Sequence, residues 1–192
     1  MSELWLVRHG ETEWSKSGQH TGRTDIELTD VGRDNARALR PRLAGTEFAR
    51  VLTSPLRRAL DTSVLAGYGD RAERVDDLME WDYGDEEGLT TAEIRQQRPG
   101  WTVWSEGPTG GETVWDVGAR ADRVIELARG TDGVVLAFSH GHFARVLGAR
   151  WIGLSAADGH KLKLSTAAIS VLGYDRETAA ILRWNDTSHV AG

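Results

Sequence analysis

The stretch Leu4–Val7 (LWLV) is apolar, and Arg8–Thr12 (RHGET) follows it directly. A short, continuous apolar run of this kind predicts a strand that is buried in a parallel sheet. Ligands of open α/β sheets bind beyond the carboxyl ends of the strands. A cation, an imidazole and a flexible glycine at this end therefore predict a place where an anion is held and attacked.

The same pattern recurs late in the chain. Val134–Phe138 (VVLAF) is a second apolar run, and it ends in Ser139–His142 (SHGH). We expect both strands to end at the same edge of the sheet, which would bring their histidines together.

The composition is that of an ordinary globular protein. The chain has 192 residues, enough for one domain with a large core. Its net charge of -6 argues against nucleic acid or an anionic membrane as the partner, because both bind proteins that are rich in Lys and Arg. The chain has no cysteine, which excludes disulfides and Cys-based zinc sites. The first apolar run is too short for a signal peptide, so we predict a cytoplasmic protein.

The rest of the chain alternates between helical and strand patterns. Helices are predicted over about 31–43, 54–66, 92–97, 113–128 and 142–152, and further strands over 50–53, 74–76, 168–172 and 180–184. The last two strands predict a hairpin at a sheet edge. We predict one domain over 1–192, a three-layer α/β/α sandwich with a mostly parallel central sheet, an antiparallel edge and a small cap from about 80–111.

Four motifs in this order resemble the histidine phosphatase superfamily, whose members have the phosphoglycerate mutase-like fold. The motifs are RHGET at 8–12, SPLRRA at 54–59, EWDYG at 80–84 and SHGH at 139–142. The stretch 12–22 is most similar to the sedoheptulose-bisphosphatase-like and broad acid phosphatase branches. The resemblance implies a phosphomonoesterase for small phosphorylated metabolites, with sugar phosphates as the first expectation.

The resemblance also implies catalytic roles. His9 is expected to be the nucleophile that becomes phosphorylated. Arg8, Arg58 and His140 are expected to bind the phosphoryl oxygens. Glu80 is expected to protonate the leaving group and then to activate water. No cofactor is implied, and we expect no metal, because Arg8 and Arg58 would repel a dication.

A second group of residues is expected to contact the substrate. Its members are Ser15, His20, Thr21, Gly22, Tyr83, Gly141 and His142. The sequence leaves open whether His142 contacts the substrate or supports the catalytic residues. His160 and His189 are expected on the surface, and Arg57 is expected to face solvent or to form a salt bridge.

Two alternatives to a phosphatase remain open. A cofactor-dependent phosphoglycerate mutase would carry a lysine near Thr91 and an adjacent arginine pair in its cap, where this chain has the separated Arg95 and Arg98. These differences favour the phosphatase. The other alternative is a catalytically weak member that binds phosphorylated ligands as a regulator, although every expected catalytic residue type is present. The sequence leaves open whether the protein is a monomer or a homodimer.

Overall fold

The structure is a computed structural model, and it describes residues 2–190. The helices and strands are β1 (Glu3–Arg8), α1 (Glu13–Ser17), α2 (Asp30–Leu43), β2 (Phe48–Thr53), α3 (Arg57–Leu65), β3 (Ala72–Arg74), α4 (Thr91–Gln97), α5 (Val114–Arg129), β4 (Val134–Ser139), α6 (Gly141–Trp151), β5 (Ile169–Asp175) and β6 (Thr178–Asp186). Among the described residues, none of the helices combines the length and the hydropathy that a membrane span requires.

All six strands form one sheet, in the order β3-β2-β4-β1-β5-β6. Strands β3, β2, β4 and β1 are parallel neighbours, whereas β5 is antiparallel to β1 and to β6. Arg8 at the end of β1 lies opposite Ser139 at the end of β4. The predicted mostly parallel sheet with an antiparallel edge is therefore confirmed, and the two motif-bearing strands end side by side.

Helices cover both faces of the sheet. Leu4 and Leu6 of β1 belong to one core, which includes residues of α5 and α6. Val7 points to the opposite face and belongs to a second core, which includes Leu39 of α2. Because β1 is buried on both faces, its sequence is a continuous apolar run rather than an alternating one. This arrangement is the predicted three-layer α/β/α fold.

The helix starts agree with the prediction in part. Thr29 caps α2, because its hydroxyl accepts a hydrogen bond from the backbone N–H of Gly32, and the helix starts within one residue of the predicted range. Helix α3 begins at Arg57, later than predicted, because Leu56 still has an extended backbone. The short helix α1 was not predicted; a capping box between Thr12 and Ser15 starts it.

Candidate active site

A cavity of about 260 Å³ lies beyond the carboxyl ends of β1 and β4. The predicted site residues that line it are Arg8, His9, Ser15, His20, Thr21, Glu80, Tyr83, Gly141 and His142. Gly22, Arg58 and His140 were predicted as site residues but do not border the cavity. These three lie behind its wall, where they contact one another or the loop that carries His20.

His9 directly follows β1, and its backbone N–H donates to the carbonyl of Ser139 on β4 at 2.9 Å. Its ring Nδ1 lies 2.7 Å from the carbonyl oxygen of Gly10. A carbonyl only accepts, so Nδ1 carries the proton and Nε2 keeps its lone pair. Burial lowers the pKa of His9 well below its usual value, and the charges of Arg58 and Arg8 lower it further. The imidazole is therefore neutral, with Nε2 free to act as a nucleophile.

Arg8 supplies unpaired hydrogen-bond donors beside His9. Its Nη1 donates to the carbonyl of Leu164 at 2.6 Å, while its buried Nε has no hydrogen-bond partner in the described part of the chain. The guanidinium packs against Gly141, where an added Cβ would lie 3.2 Å from Cζ of Arg8. Burial lowers the pKa of Arg8, and the nearby Glu80 carboxylate opposes that effect. A buried cation with unmet donors is a binding site for an oxyanion.

Arg58 on α3 has a different environment. Its Nη1 donates to the carbonyl of Thr24 at 3.0 Å, and its Nη2 donates to the carbonyls of Thr21 and Gly22 at 3.0 and 2.8 Å. The Glu87 carboxylate holds the same loop, because it accepts hydrogen bonds from the backbone N–H groups of Gly22 and Thr24. Arg58 therefore fixes the loop that carries His20 into the cavity wall.

His140, which follows β4, is also fully bonded to protein. Arg58 Nε donates to its Nδ1 at 3.1 Å, so the proton is on Nε2, which donates to the Ser54 hydroxyl at 2.8 Å. Burial, followed by the charge of Arg58, lowers the pKa of His140 well below its usual value. Its ring centroid lies 5.2 Å from that of His9. The structure thus brings the two predicted histidines together, with His140 behind His9.

Glu80 is held at the start of helix α6. Its Oε1 accepts hydrogen bonds from the backbone N–H groups of Phe143 and Trp81 at 2.9 and 3.0 Å. Its Oε2 accepts one from the N–H of His142 at 3.1 Å. The first N–H groups of a helix have no partner within the helix, so a carboxylate there is both bonded and oriented. Glu80 therefore borders the cavity in a fixed position.

A polar cluster of His20, Tyr83 and His142 forms another part of the cavity wall. The Tyr83 hydroxyl and Nδ1 of His142 are 2.5 Å apart. Burial raises the pKa of Tyr83 and lowers that of His142, so both groups are neutral. Whichever of them donates, one O–H or N–H of the pair is left without a partner in the described residues. His20 donates its Nδ1–H to the Leu89 carbonyl, which leaves its Nε2 as an acceptor.

Five residues that line the cavity were not predicted: Gly18, Gln19, Thr91, Arg145 and Leu164. Arg145 lies three residues after His142 on α6, which places both side chains on one helix face. That spacing is the feature of the sequence from which Arg145 could have been predicted. Gly10 was predicted to be needed for flexibility. Instead, an added Cβ would overlap the carbonyl group of Gly32, so Gly10 is needed for close contact with α2.

The predictions for the peripheral residues have mixed outcomes. Arg57 forms salt bridges with Glu27 and Asp61, as predicted. His160 is exposed, as predicted. His189 is half-buried: its Nε2 donates to the Ala167 carbonyl, and its Nδ1 has no hydrogen-bond partner in the described residues. The C-terminal segment that follows β6 thus contacts the residues that precede β5.

The fold and the cavity together place a neutral imidazole with a free Nε2 and a buried guanidinium group at the end of the first strand. A family model described as the histidine phosphatase superfamily (branch 1) matches residues 4–187. The chain therefore belongs to this superfamily, and its assignment as a phosphatase is confirmed. Within residues 2–190, no three side chains of His, Asp or Glu are grouped closely enough to hold a metal ion.

The similarity to known members extends over nearly the whole chain. The chain is 43% identical over 190 residues to an acid phosphatase of Mycobacterium tuberculosis. The alignment covers 97% of this chain and 93% of that protein. It is 34% identical over 222 residues to a sedoheptulose 1,7-bisphosphatase of Saccharomyces cerevisiae, and that alignment covers 96% of this chain and 79% of the yeast protein. The solved structure of a Mycobacterium tuberculosis open reading frame product superposes on this chain with a TM-score of 0.90 at 40% identity. The superposition covers 96% of this chain and 97% of that one.

Proposed function

We propose that this protein hydrolyses phosphomonoesters of small metabolites through a phosphohistidine formed on His9. The observation that carries the proposal is the state of His9, whose Nε2 keeps a free lone pair in a cavity that Arg8 also borders. Arg8 has unmet donors for the phosphoryl oxygens. Arg58 contributes positive charge from behind the ring, because it lies close enough to lower the pKa of His9.

The proposed reaction has two steps. In the first, His9 Nε2 forms a bond to phosphorus while the ester P–O bond breaks, and Glu80, which is protonated in the substrate complex, gives its proton to the departing alkoxide. In the second, Glu80 takes a proton from water as the water oxygen attacks phosphorus. The N–P bond then breaks, inorganic phosphate leaves, and His9 and Glu80 return to their starting states.

We further propose sugar phosphates as substrates. The cavity offers one free donor from the Tyr83–His142 pair and an acceptor on His20, which suit the hydroxyl groups of a sugar. The sedoheptulose 1,7-bisphosphatase among the relatives supports the same class. Trp101 and Trp104 support the wall from behind, with centroids 5.3 Å from His20 and 5.2 Å from His142.

The cap favours hydrolysis over mutase chemistry. Thr91 lines the cavity near the place where a mutase would carry its lysine. Arg95 donates to the carbonyl of Trp101, and Arg98 is paired with Glu86 and Glu106. Neither arginine borders the cavity, so neither is available to hold a reorienting substrate away from water.

The remaining expectations are part of the same proposal. We propose that 1–192 acts as one domain with 80–111 as its cap, and that no metal or other cofactor takes part. We also propose a cytoplasmic monomer or homodimer that binds neither nucleic acid nor membranes. The net charge of -6 and the lack of cysteine support these statements.

Phosphate release tests the proposed function. We expect the protein to hydrolyse p-nitrophenyl phosphate and several sugar phosphates at equal rates with and without EDTA. No release at any pH from acid to neutral would favour the regulator. Interconversion of 2- and 3-phosphoglycerate that is stimulated by 2,3-bisphosphoglycerate, with little net phosphate release, would favour the mutase.

A further inference from the structure

Arg145 is a second arginine in the cavity, and the reaction proposed above does not use it. It lies on α6, and the centre of its guanidinium group is 4.7 Å from the centroid of the Trp104 ring. Its Nε donates to the carbonyl of Gly159 at 3.2 Å, and its Nη2 donates to that of His160 at 3.1 Å. Within residues 2–190, its Nη1 has no hydrogen-bond partner and no carboxylate lies within 4.0 Å of the guanidinium.

The guanidinium of Arg145 is built into a fixed position. The stacking on Trp104 and the two carbonyl acceptors set the plane of the group. Gly159 allows this packing, because an added Cβ would lie 2.9 Å from the Trp104 ring and 3.0 Å from the backbone of Arg145. A binding group whose rotamer is set before the ligand arrives loses less conformational entropy on binding.

The charges that border the cavity are unbalanced. Arg8 and Arg145 are cations. The Glu80 carboxylate is the negative charge that raises the pKa of both, and His142 is neutral because burial lowers its pKa. Burial also lowers the pKa of Arg145, with the Glu80 charge opposing that effect. A phosphoryl group held by Arg8 at His9 would leave Arg145 without a counterion in a partly buried place, which is unfavourable.

We propose that Arg145 binds a second anionic group of the substrate, so that the preferred substrates are phosphomonoesters that carry another phosphate or a carboxylate on the same short, hydroxylated carbon chain. This inference rests on the proposed phosphatase function. A guanidinium fork matches either oxyanion, since both accept two parallel N–H bonds. Arg8 then sets where hydrolysis occurs, and Arg145 sets which esters bind.

Matched substrate pairs test this proposal. Fructose 1,6-bisphosphate is compared with fructose 6-phosphate, and 3-phosphoglycerate with glycerol 3-phosphate, in each case by phosphate release at steady state. We expect kcat/KM to favour the more anionic member of at least one pair by about 10- to 100-fold. A preference in the first pair alone assigns the second group as phosphate, and one in the second pair alone assigns it as carboxylate.

The variants Arg145→Gln and Arg145→Lys connect that preference to one side chain. We expect Arg145→Gln to remove the preference, mainly by raising KM for the more anionic ester, and to slow p-nitrophenyl phosphate hydrolysis much less than hydrolysis of that ester. Arg145→Lys keeps the charge without the fork, so it should retain part of the preference. Arg150→Gln is the control, because Arg150 lies on the same helix but pairs with Asp122 and does not border the cavity.

The outcomes separate this inference from the proposed function. No preference in either pair, in a wild-type protein that hydrolyses p-nitrophenyl phosphate, would overturn the role of Arg145 and leave the phosphatase intact. The same would follow if Arg145→Gln slowed p-nitrophenyl phosphate as much as the bisphosphate. If Arg145→Gln does not fold, the matched substrate pairs measured with the wild type and with Arg145→Lys still test the role of Arg145. No hydrolysis of any ester would instead contradict the function itself.

Discussion

Two arginine–histidine pairs lie within this one site, and they are bonded in opposite ways. In the pair Arg8–His9, the guanidinium Nε and the imidazole Nε2 have no partner in the described residues, and both side chains border the cavity. In the pair Arg58–His140, both ring nitrogens and all three guanidinium nitrogens are bonded to protein. The same residue types therefore keep nitrogen atoms free in one pair and bond them to protein in the other.

The difference shows how the site is prepared for an anion. Unpaired donors such as those of Arg8 cost stability in the free protein, because a buried polar group without a partner is unfavourable. The bonded pair behind them holds the loop of Thr21–Thr24 and keeps His140 against His9. In the proposed reaction, the free pair then meets the phosphoryl group without rearrangement, and preorganised charge of this kind is the largest contribution to many enzymatic rates.

The largest expected effect of breaking this arrangement is on stability at Arg58. We expect Arg58→Ala to lower the free energy of unfolding by about 3–5 kcal/mol, because three loop carbonyls and His140 Nδ1 lose their donor. Arg57→Ala is the matched control: Arg57 is 49% exposed and forms only surface salt bridges, worth about 0–1 kcal/mol. Urea unfolding measures both. Equal stability of the two variants would contradict the role assigned to Arg58.

Arg8→Ala should show the opposite behaviour. We expect kcat/KM to fall by about 10²- to 10³-fold, because the transferring phosphoryl group loses its fixed donors. The free energy of unfolding should stay the same or rise, since the substitution removes a buried charge that lacks an ion pair. Steady-state kinetics and urea unfolding on one preparation measure both quantities. A loss of stability as large as that of Arg58→Ala would remove the distinction between the two pairs.

Glu80→Gln tests the proton transfer. We expect kcat for alkyl phosphates to fall by about 10²-fold, because the alkoxide leaving group needs a proton. Loss for p-nitrophenyl phosphate should be smaller, since its leaving group is stable as an anion. The ratio of the two losses is the measurement, and it is insensitive to a general disturbance of the helix start. Equal losses would argue against Glu80 as the general acid.

The smallest expected effect is the change that one substitution, His142→Gln, makes in the dependence of stability on pH. Burial lowers the pKa of His9, His140 and His142 in the folded state. Below the unfolded value of about 6.5, the unfolded chain binds protons that the folded chain does not, so stability falls as the pH falls. Each histidine contributes up to about 1.4 kcal/mol per pH unit. Urea unfolding between pH 7.5 and 5 should show this slope. In His142→Gln the slope should be smaller, because the chain takes up about one proton fewer on unfolding. An unchanged slope in that variant would show that His142 is not buried as a neutral group.

Much of the fold could be predicted from the sequence. Continuous apolar runs such as Leu4–Val7 indicate strands that are buried on both faces, and the Thr29 cap marks the start of a helix. The bounds of β3 could not be predicted, because pairing with β2 sets them rather than its own largely exposed residues. Helix α1 was missed because its capping box uses Ser15 in place of Glu or Gln.

The site could be predicted less completely, because its roles depend on contacts between distant segments. The motifs identified His9, Arg8 and Glu80, but not which nitrogens would remain free. The partners of Arg58 are backbone carbonyls in a loop more than thirty residues away, which no motif encodes. The closeness of Gly10 to Gly32 and the contact of His189 with the Ala167 carbonyl depend in the same way on tertiary packing.

Trapping the covalent intermediate tests the central claim most directly. The wild-type protein is mixed with a ³²P-labelled phosphomonoester, quenched with base within the first turnovers, and digested to locate the label by mass spectrometry. The account predicts an acid-labile phosphate on His9 Nε2 at up to one per chain, with none in His9→Ala. Label on His140, or label that persists in His9→Ala, would contradict it.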